Sequence, residues 1–416
     1  MFKGPNIVKS DGSTGATSGN AENIEAIVAG GVTTAGYAAF GVSQKLTQAS
    51  DADTLGFTAA YDSANKVLVR YHIDEFFTLN PNGVLWIMLV AQGTTLAAMC
   101  DKANAFAQKL INDSGKTIKN FGVVLNPASG YTPTLTNGID ADVTAAVTKA
   151  QDLITTFAGL NVFIDMAVIE GRQLNGASGS YKDMRTMASP NVHVAVLQDA
   201  DVAALDALFA KHAAVGTVLA GLGVRRVSED LGSVNSVNNP NQGAASMPIN
   251  DAASGRWLNP GISSGALMKN LTAADVQSLL DKGYIFADSY PEFDGVYFCK
   301  SSAATSLVSD FAYGVATRVW NKCARIAVKK LIPRTNGKVA LTNGKISATT
   351  ASYWEQDVNN SRDGLGSVVA SEDATATNVK INANNDIGST GLLVVKMSVT
   401  LYGYARAIEG DLGFAI

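Results

Sequence analysis

The sequence predicts an α/β protein: an open mixed α/β sheet domain, then an α+β C-terminal part, with an extended arm at each end. Three observations carry that prediction. Between Ile24 and Val227, short apolar runs alternate with helix-length amphipathic segments, the rhythm of a sheet covered by helices. Between Ser228 and Ser264 the pattern dissolves into Gly, Asn, Ser and Pro, a long connection of the kind that is functional or crosses between domains. From Gly391 an apolar period-two pattern runs to the last residue.

The elements follow in order. An apolar pair, Ile7 and Val8, precedes a Gly/Ser/Thr/Asn-rich tether that ends at Asn23, so residues 1–23 read as an N-terminal arm and linker. Val84 to Val90 is an unbroken apolar run, short enough for a strand covered on both faces. Leu96, Cys100, Ala103, Phe106, Ala107 and Leu110 then recur at helical spacing, which predicts one helix from Thr94 to Asn112, stopped by Gly115. Further strands are expected at Phe121–Leu125, Val162–Ile169 and Val192–Leu197, with helices near Val143–Phe157 and Asp201–Ala213.

Regular structure resumes beyond the long connection. Thr272 and Asp275 have the spacing of a capping box, with Asp in the usual Glu position, and open a helix to Lys282. Strand patterns follow at Tyr284–Asp288 and Gly295–Cys299, then a long helix from about Ser309 to Leu331 ended by Pro333. These signals divide the chain into an α/β region, 24–264, a C-terminal region, 265–390, and a terminal strand and arm, 391–416. In that last stretch Val395, Met397, Val399 and Leu401 share one face, and Leu412, Phe414 and Ile416 repeat the alternation, so the strand is expected to find its partner in another copy of the chain.

Composition narrows the function. Charged residues are 16% of the chain, below the roughly 25% typical of soluble domains, as large buried interfaces would leave behind. A net charge of -4 argues against general nucleic-acid binding. No run approaches the roughly 18 apolar residues of a membrane span, and Met1 to Pro5 does not open a signal peptide. Cys100, Cys299 and Cys323 are few and far apart, and read as buried free thiols.

Motifs of chemistry are sparse. Gly261-Ile262-Ser263-Ser264-Gly265 spells a nucleophile elbow, but every histidine, His72, His193 and His212, lies upstream of it. Ser114-Gly115-Lys116-Thr117 resembles the end of a phosphate loop, yet it follows a helix instead of opening one, so it reads as a helix C-cap. No dinucleotide fingerprint follows any strand. No catalytic, cofactor or metal residues are therefore assigned. One charged pattern is specific: Arg318, Lys322, Arg325 and Lys329 fall on one face of the long helix and suggest a basic ridge toward an acidic partner.

Leu271 to Ile285, then Asp294-Gly295-Val296-Tyr297-Phe298, then the helix from Phe311 to Leu331 and the strand from Gly391, in that order and spacing, resemble the C-terminal domain of contractile tail sheath proteins. Ser301-Ser302 stand where many sheaths carry an Arg-Thr pair. The resemblance implies a structural subunit and no enzyme: a homo-oligomer of hexameric rings stacked around a tail tube protein. Its arms, including Ile7, Val8 and the apolar residues from Val395 to Ile416, would add strands to neighbouring subunits. Baseplate and tail terminator proteins are the further implied partners, with no cofactor, no direct nucleic acid and no membrane insertion. The implied place is a phage tail or other contractile particle assembled in the bacterial cytoplasm. The basic ridge, or the segment from Tyr353 to Arg362, would face the tube. The competing readings are an α/β enzyme or small-molecule-binding protein without a recognisable motif, and another phage particle protein.

Overall fold

The computed structural model describes residues 22–33, 38–240 and 246–406. In chain order, β1 (Ile24–Gly31) and β2 (Ser43–Leu46) precede three helices, α1 (Asp51–Thr54), α2 (Ala59–Asn65) and α3 (Val69–Leu79). Then come β3 (Val84–Ala91), α4 (Leu96–Cys100), α5 (Ala107–Asp113) and β4 (Asn120–Val124). A small hairpin, β5 (Leu135–Thr136) and β6 (Ile139–Asp140), leads into α6 (Ala141–Ala158), followed by β7 (Met166–Glu170), β8 (Val192–Ala195) and β9 (Leu197–Asp199). Helices α7 (Ala200–Ala203) and α8 (Val215–Val224) precede the long connection, within which β10 (Pro260–Ile262) pairs back onto β9. Next are α9 (Ala273–Asp281), β11 (Tyr284–Ile285), β12 (Ala287–Tyr290) and β13 (Phe293–Phe298).

Seven strands form one sheet in the order β11-β8-β7-β4-β1-β3-β2. Every neighbouring pair is parallel except β2, which runs antiparallel to β3. Both faces are covered. Ala26 and Val28 of β1 pack toward α4, α5 and α6, while Ile27 and Ala29 pack toward α3 and α8. That is why the strands read as continuous apolar runs and not as alternating ones.

The sequence pattern leaves α8 unassigned, because a helix buried on every side shows no apolar stripe, and all ten of its residues are buried. Its glycines are spacing devices: a Cβ on Gly216 would lie 2.3 Å from the carbonyl oxygen of His72, at the contact with α3. The helix expected from Thr94 to Asn112 is two short ones. At the break, Asp101 is extended, its carboxylate accepts from the Ala103 amide at 2.9 Å, and the Asn104 side chain donates to the Ala98 carbonyl at 2.9 Å. Local polar side chains there outcompete the helical ladder. The helix expected over Asp201–Ala213 shortens to α7 and a series of turns, one of them closed by the Asp206 carboxylate on the Leu208 amide. The capping box at Thr272 and Asp275 forms as expected.

The long connection is held down at Trp257, which is fully buried. Its indole donates to Glu75 at 2.8 Å, Arg256 pairs with the same carboxylate at 2.8 Å, and the Trp257 amide donates to Asp199 at 2.9 Å. β11 lies beyond the 264/265 boundary expected from sequence, yet it is an edge strand of the main sheet, and the sheet's core reaches Ala304.

The remainder forms a smaller C-terminal module. It consists of α10 (Gly314–Leu331), a hairpin of β14 (Leu341–Thr342) and β15 (Lys345–Ile346), α11 (Ala348–Val358), α12 (Gly366–Ala370), β16 (Ala376–Ile381), α13 (Ile387–Thr390) and β17 (Val395–Thr400). One small core joins Val319 and Cys323 of α10 to Val358, Val368 and Val379, and a second joins Ile346, Ala351 and Ile381.

Candidate assembly surfaces

Helix α10 joins the module to the body, and its cations are the fasteners. Arg318 is buried; its guanidinium donates to the carbonyls of Leu222 at 2.8 Å, Arg225 at 3.0 Å and Arg226 at 3.2 Å. These groups cluster at the C-terminal end of α8, where a helix leaves carbonyls without partners and its dipole favours a cation. Lys322 pairs with Asp373 at 2.6 Å. Burial raises the Asp373 carboxyl, but the bonds from Lys322 and Ser371 outweigh it and leave the group below its ordinary range. Arg325 pairs with Asp165 at 2.6 Å and with Glu22, and also donates to the Phe163 carbonyl at 3.0 Å.

Three of the four residues of the expected basic ridge are thus turned inward. The steps of four and three did place Arg318, Lys322 and Arg325 on one helix face, but that face meets α8, β7 and the Asp373 loop, where each cation has an internal acceptor. Lys329 alone of the four is exposed. Beside this junction lies Glu25, fully buried, with one carboxylate oxygen accepting from Asn120 at 3.1 Å and the other without a partner among the described residues. Burial pushes its pKa up to about 8, against the opposing effects of Asn120 and Arg318.

The terminal strand has a partner within its own chain. β17 pairs antiparallel with β16, Val395 opposite Ile381, Met397 opposite Val379 and Val399 opposite Thr377. The expectation that a neighbouring copy supplies its partner is therefore corrected for one edge: the segment 376–381, whose alternation is masked in sequence by polar residues, occupies it. The other edge of this two-stranded sheet faces no described strand. Val395, Val399 and Leu401 lean on the module's cores, whereas Met397 is 41% exposed. Beyond β17 the chain is pinned back to the body: the Tyr404 hydroxyl donates to the Ser228 carbonyl at 2.7 Å, and Arg406 pairs with Asp230 at 2.9 Å and lies 3.6 Å over the Tyr313 ring. Ile7, Val8, Leu412, Phe414 and Ile416 lie outside the described residues.

The polar motifs settle into structural roles. Each histidine is buried, and desolvation lowers its pKa: His72 to about 3, His193 and His212 to about 4. The Nδ1 atoms of His193 and His212 meet the carbonyls of Ser302 at 2.7 Å and Phe209 at 2.8 Å, and that of His72 accepts the Gly216 amide at 3.2 Å. Ser263 is buried and donates to the Gly171 carbonyl, and Pro260–Ile262 ahead of it is a short strand; no helix follows to make an elbow. Ser114 donates to the Ile111 carbonyl at 2.7 Å and Lys116 adopts φ 62°, closing α5. Burial pushes the Cys299 thiol up to about 12 and the Cys323 thiol up to about 11; Cys299 is half-buried, Cys100 and Cys323 buried. No group of three or more His, Cys, Asp or Glu among the described residues is placed to hold a metal, and no described helix is long and apolar enough to cross a membrane.

Apolar surface gathers on α10 opposite the cation clamp. Trp320 is 50% exposed, with the rings of Phe163 and Phe311 edge-on at 5.9 and 6.3 Å. They border a groove of about 220 Å³ whose other wall is the C-terminal end of α6, at Ile154, Thr155 and Ala158. Val308, at 94% exposure, stands in the loop just before Phe311. In the module, Tyr353 on α11 is also exposed.

The fold is shared with chains of contractile particles. A chain of the anti-feeding prophage baseplate, symmetrised six-fold, superposes with a TM-score of 0.58 at 13% identity, covering 100% of this chain and 99% of the other. A chain of the PVC sheath complex, from an extracellular contractile injection system in the contracted state, gives 0.55 at 12% identity and covers 99% and 97%. One from the contracted anti-feeding prophage baseplate gives 0.52 at 12% identity, covering 99% and 98%. At these identities the likeness is one of fold, and it bears out the mixed α/β architecture and the sheath-like resemblance at that level. No curated protein matches the sequence. The family model "DUF2586, N-terminal domain" matches residues 2–302, ending where the α/β body ends, and the chain belongs to that family.

Proposed function

We propose that the chain is the structural subunit of a contractile tail sheath. It polymerises as stacked hexameric rings around a tail tube and contracts to drive the tube through a target envelope. The observation that carries this reading is the end-to-end likeness to a chain of a contracted sheath complex, which includes the C-terminal module as well as the α/β body. The buried histidines, and thiols whose pKa burial raises, agree with a role that needs no catalysis.

In this reading the open edge of the β16–β17 sheet is the acceptor and donor for strands of neighbouring subunits, through Met397 on its exposed surface and the arms that carry Ile7, Val8, Leu412, Phe414 and Ile416. An open strand edge presents unpaired amides and carbonyls that another chain can complete. Contraction is a rearrangement of rigid bodies whose strands stay hooked. With Arg318, Lys322 and Arg325 spent inside the chain, the tube-facing surface falls to the segment from Tyr353 to Arg362. Baseplate and tail terminator proteins close the two ends of the polymer.

Electron microscopy of the purified chain, alone and co-expressed with its tube protein, tests the reading. Tubes or rings support it; a uniform monomer under both conditions overturns it. Deleting Asp411 to Ile416 is expected to abolish polymers while leaving the subunit folded. Arg362→Glu is expected to weaken co-assembly with the tube in a salt-dependent way.

A further inference from the structure

Glu25 on β1 and Asn120 on β4 stand opposite each other in register on neighbouring parallel strands, and both are fully buried. The Asn120 amide donates to one Glu25 carboxyl oxygen at 3.1 Å, while the second carboxyl oxygen, Oε2, and the Asn120 Oδ1 have no partner among the described residues. An ionised carboxylate beside a carboxamide forms one hydrogen bond and leaves two acceptors orphaned. A carboxylic acid beside the same group forms two, because its O–H supplies the missing donor. Turning the amide over exchanges the roles of the two carboxyl oxygens and leaves the pair short of the same one proton. We propose that Glu25 Oε2 carries a proton and donates it to Asn120 Oδ1, and that this neutral pair is a pH-sensitive lock on the joint between the body and the C-terminal module.

The surroundings disfavour the anion. Glu25 shares the strand face of Ile27 and Ala29, toward α3 and α8. There it lies against the last turn of α8: a Cβ on Gly223 would come 3.0 Å from the Glu25 Oε1 and 2.6 Å from both the Asn23 Oδ1 and the Asn80 Nδ2. Asn23 and Asn80 bond to each other, at 2.9 and 2.6 Å. The carbonyl end of a helix favours a cation and repels a negative charge. The nearby cations are engaged elsewhere: Arg318 on the carbonyls of Leu222, Arg225 and Arg226, Arg225 on those of Gly221 and Ser233, and Arg325 on Asp165 and Glu22. Burial, the largest influence, pushes the Glu25 pKa up to about 8, and Asp165 adds to the rise, against Asn120, Arg318 and Lys119.

Ionisation in place removes the bond to Asn120 and sets a negative charge against the end of α8 that Arg318 holds. Opening of the joint hydrates the carboxyl, which then releases the proton that the closed joint retains. The open population therefore grows as pH rises from the ordinary carboxyl range, and levels off above about 8, where the closed joint loses the proton too.

Infrared spectra of the full chain, with its glutamates isotope-labelled in the side-chain carboxyl, test the proton. At about pH 6 the difference between the parent and Glu25→Gln is expected to show the C=O band of a protonated carboxyl, and a carboxylate band in its place overturns the proposal. Asn120→Leu is expected to move that band to higher frequency, as the bonds to the carboxyl are lost; an unmoved band refutes the bond to Asn120. Should Asn120→Leu not fold, the first measurement still decides, because glutamine preserves both bonds of the pair. Hydrogen exchange at the amides of Leu222 to Arg226, corrected for the intrinsic rate, tests the lock. The opening constant is expected to rise about ten-fold per pH unit between about pH 5.5 and 7.5 in the parent and to stay level in Glu25→Gln. Equal slopes in the two chains would sink the lock. All three readouts use the unassembled chain, so their outcome is independent of the sheath reading.

Discussion

β7 and β17 are strands of similar length, five and six residues, in opposite circumstances. Every residue of β7 is buried and both its edges are paired, by β4 and β8. None of β17 is buried and it has a single partner among the described residues. The same contrast separates the body, from Glu22 to Ala304, from the module that starts at α10. The body closes its cores on both faces of the sheet, whereas the module has two small cores and an open strand edge. Stability is thus concentrated where the fold is self-sufficient, and the module leaves backbone and apolar side chains exposed among the described residues.

The contrast can be broken by substitution. Phe121→Ala, which empties a core site at 1% exposure, is expected to cost about 3–5 kcal/mol in urea unfolding. Met397→Ala is expected to stay within about 0.5 kcal/mol and instead to reduce polymer yield. If Met397→Ala destabilised the isolated chain as much as Phe121→Ala, the two regions would not differ in this way.

Arg325→Met probes the joint between them. It leaves Asp165, 1% exposed, without its cation, and removal of one partner of such a pair costs about 3–5 kcal/mol. A loss below about 0.5 kcal/mol would instead fit a solvated ridge.

Glu25→Gln probes the same joint through pH. The folded state holds Glu25 protonated up to about 8, while the unfolded chain releases that proton near the ordinary value of 4.5. Stability is therefore lost as pH rises through this window and stays reduced above it. The glutamine chain is expected to match the parent near pH 4 and to exceed it by roughly 2–4 kcal/mol at pH 8.5, read from urea midpoints across the range. A constant difference at all pH values would show that Glu25 does not titrate between the two states.

A smaller effect than at Glu25 is expected at the anchor of the tail. Burial raises the Asp230 carboxyl, and the Gly232 amide, Arg406 and Ser301 together bring it below its ordinary range. A depressed carboxyl adds stability that is present above the unfolded-state pKa and lost as pH falls through the folded one. Arg406→Gln is expected to cost about 1 kcal/mol at neutral pH and to flatten the loss of stability below about pH 4. An unchanged acid limb would remove Arg406 from that account.

Much of this was legible in the residues. The runs at Val84 and Phe121 predict buried strands because a parallel sheet covered on both faces needs no polar face, and the Thr272–Asp275 box marks its helix because the cap is a local hydrogen bond. The cations of α10 show how far such reading goes. Their spacing placed Arg318, Lys322 and Arg325 on one face correctly, but nothing in the spacing tells whether the face meets water or the end of α8. Glu75, Trp257 and Asp199, which hold the long connection, gave no signal because they lie far apart in the chain and meet only after folding. A buried tryptophan in a Gly- and Asn-rich stretch, at Ser254-Gly255-Arg256-Trp257, was the one available hint.

The sequence by itself determined the body's strand runs, the capping box, the polar tether before β1 and the apolar terminal pattern, since each is written in neighbouring residues through periodicity, capping and turn chemistry. Only the tertiary structure decided that β16 takes one edge of β17, that α8 is a helix held by Arg318, and that α10 turns its cations inward and its tryptophan outward. Those outcomes depend on which groups arrive from distant parts of the chain. Local spacing can place a side chain on a face, but the energy of pairing or burying it is set by what that face meets.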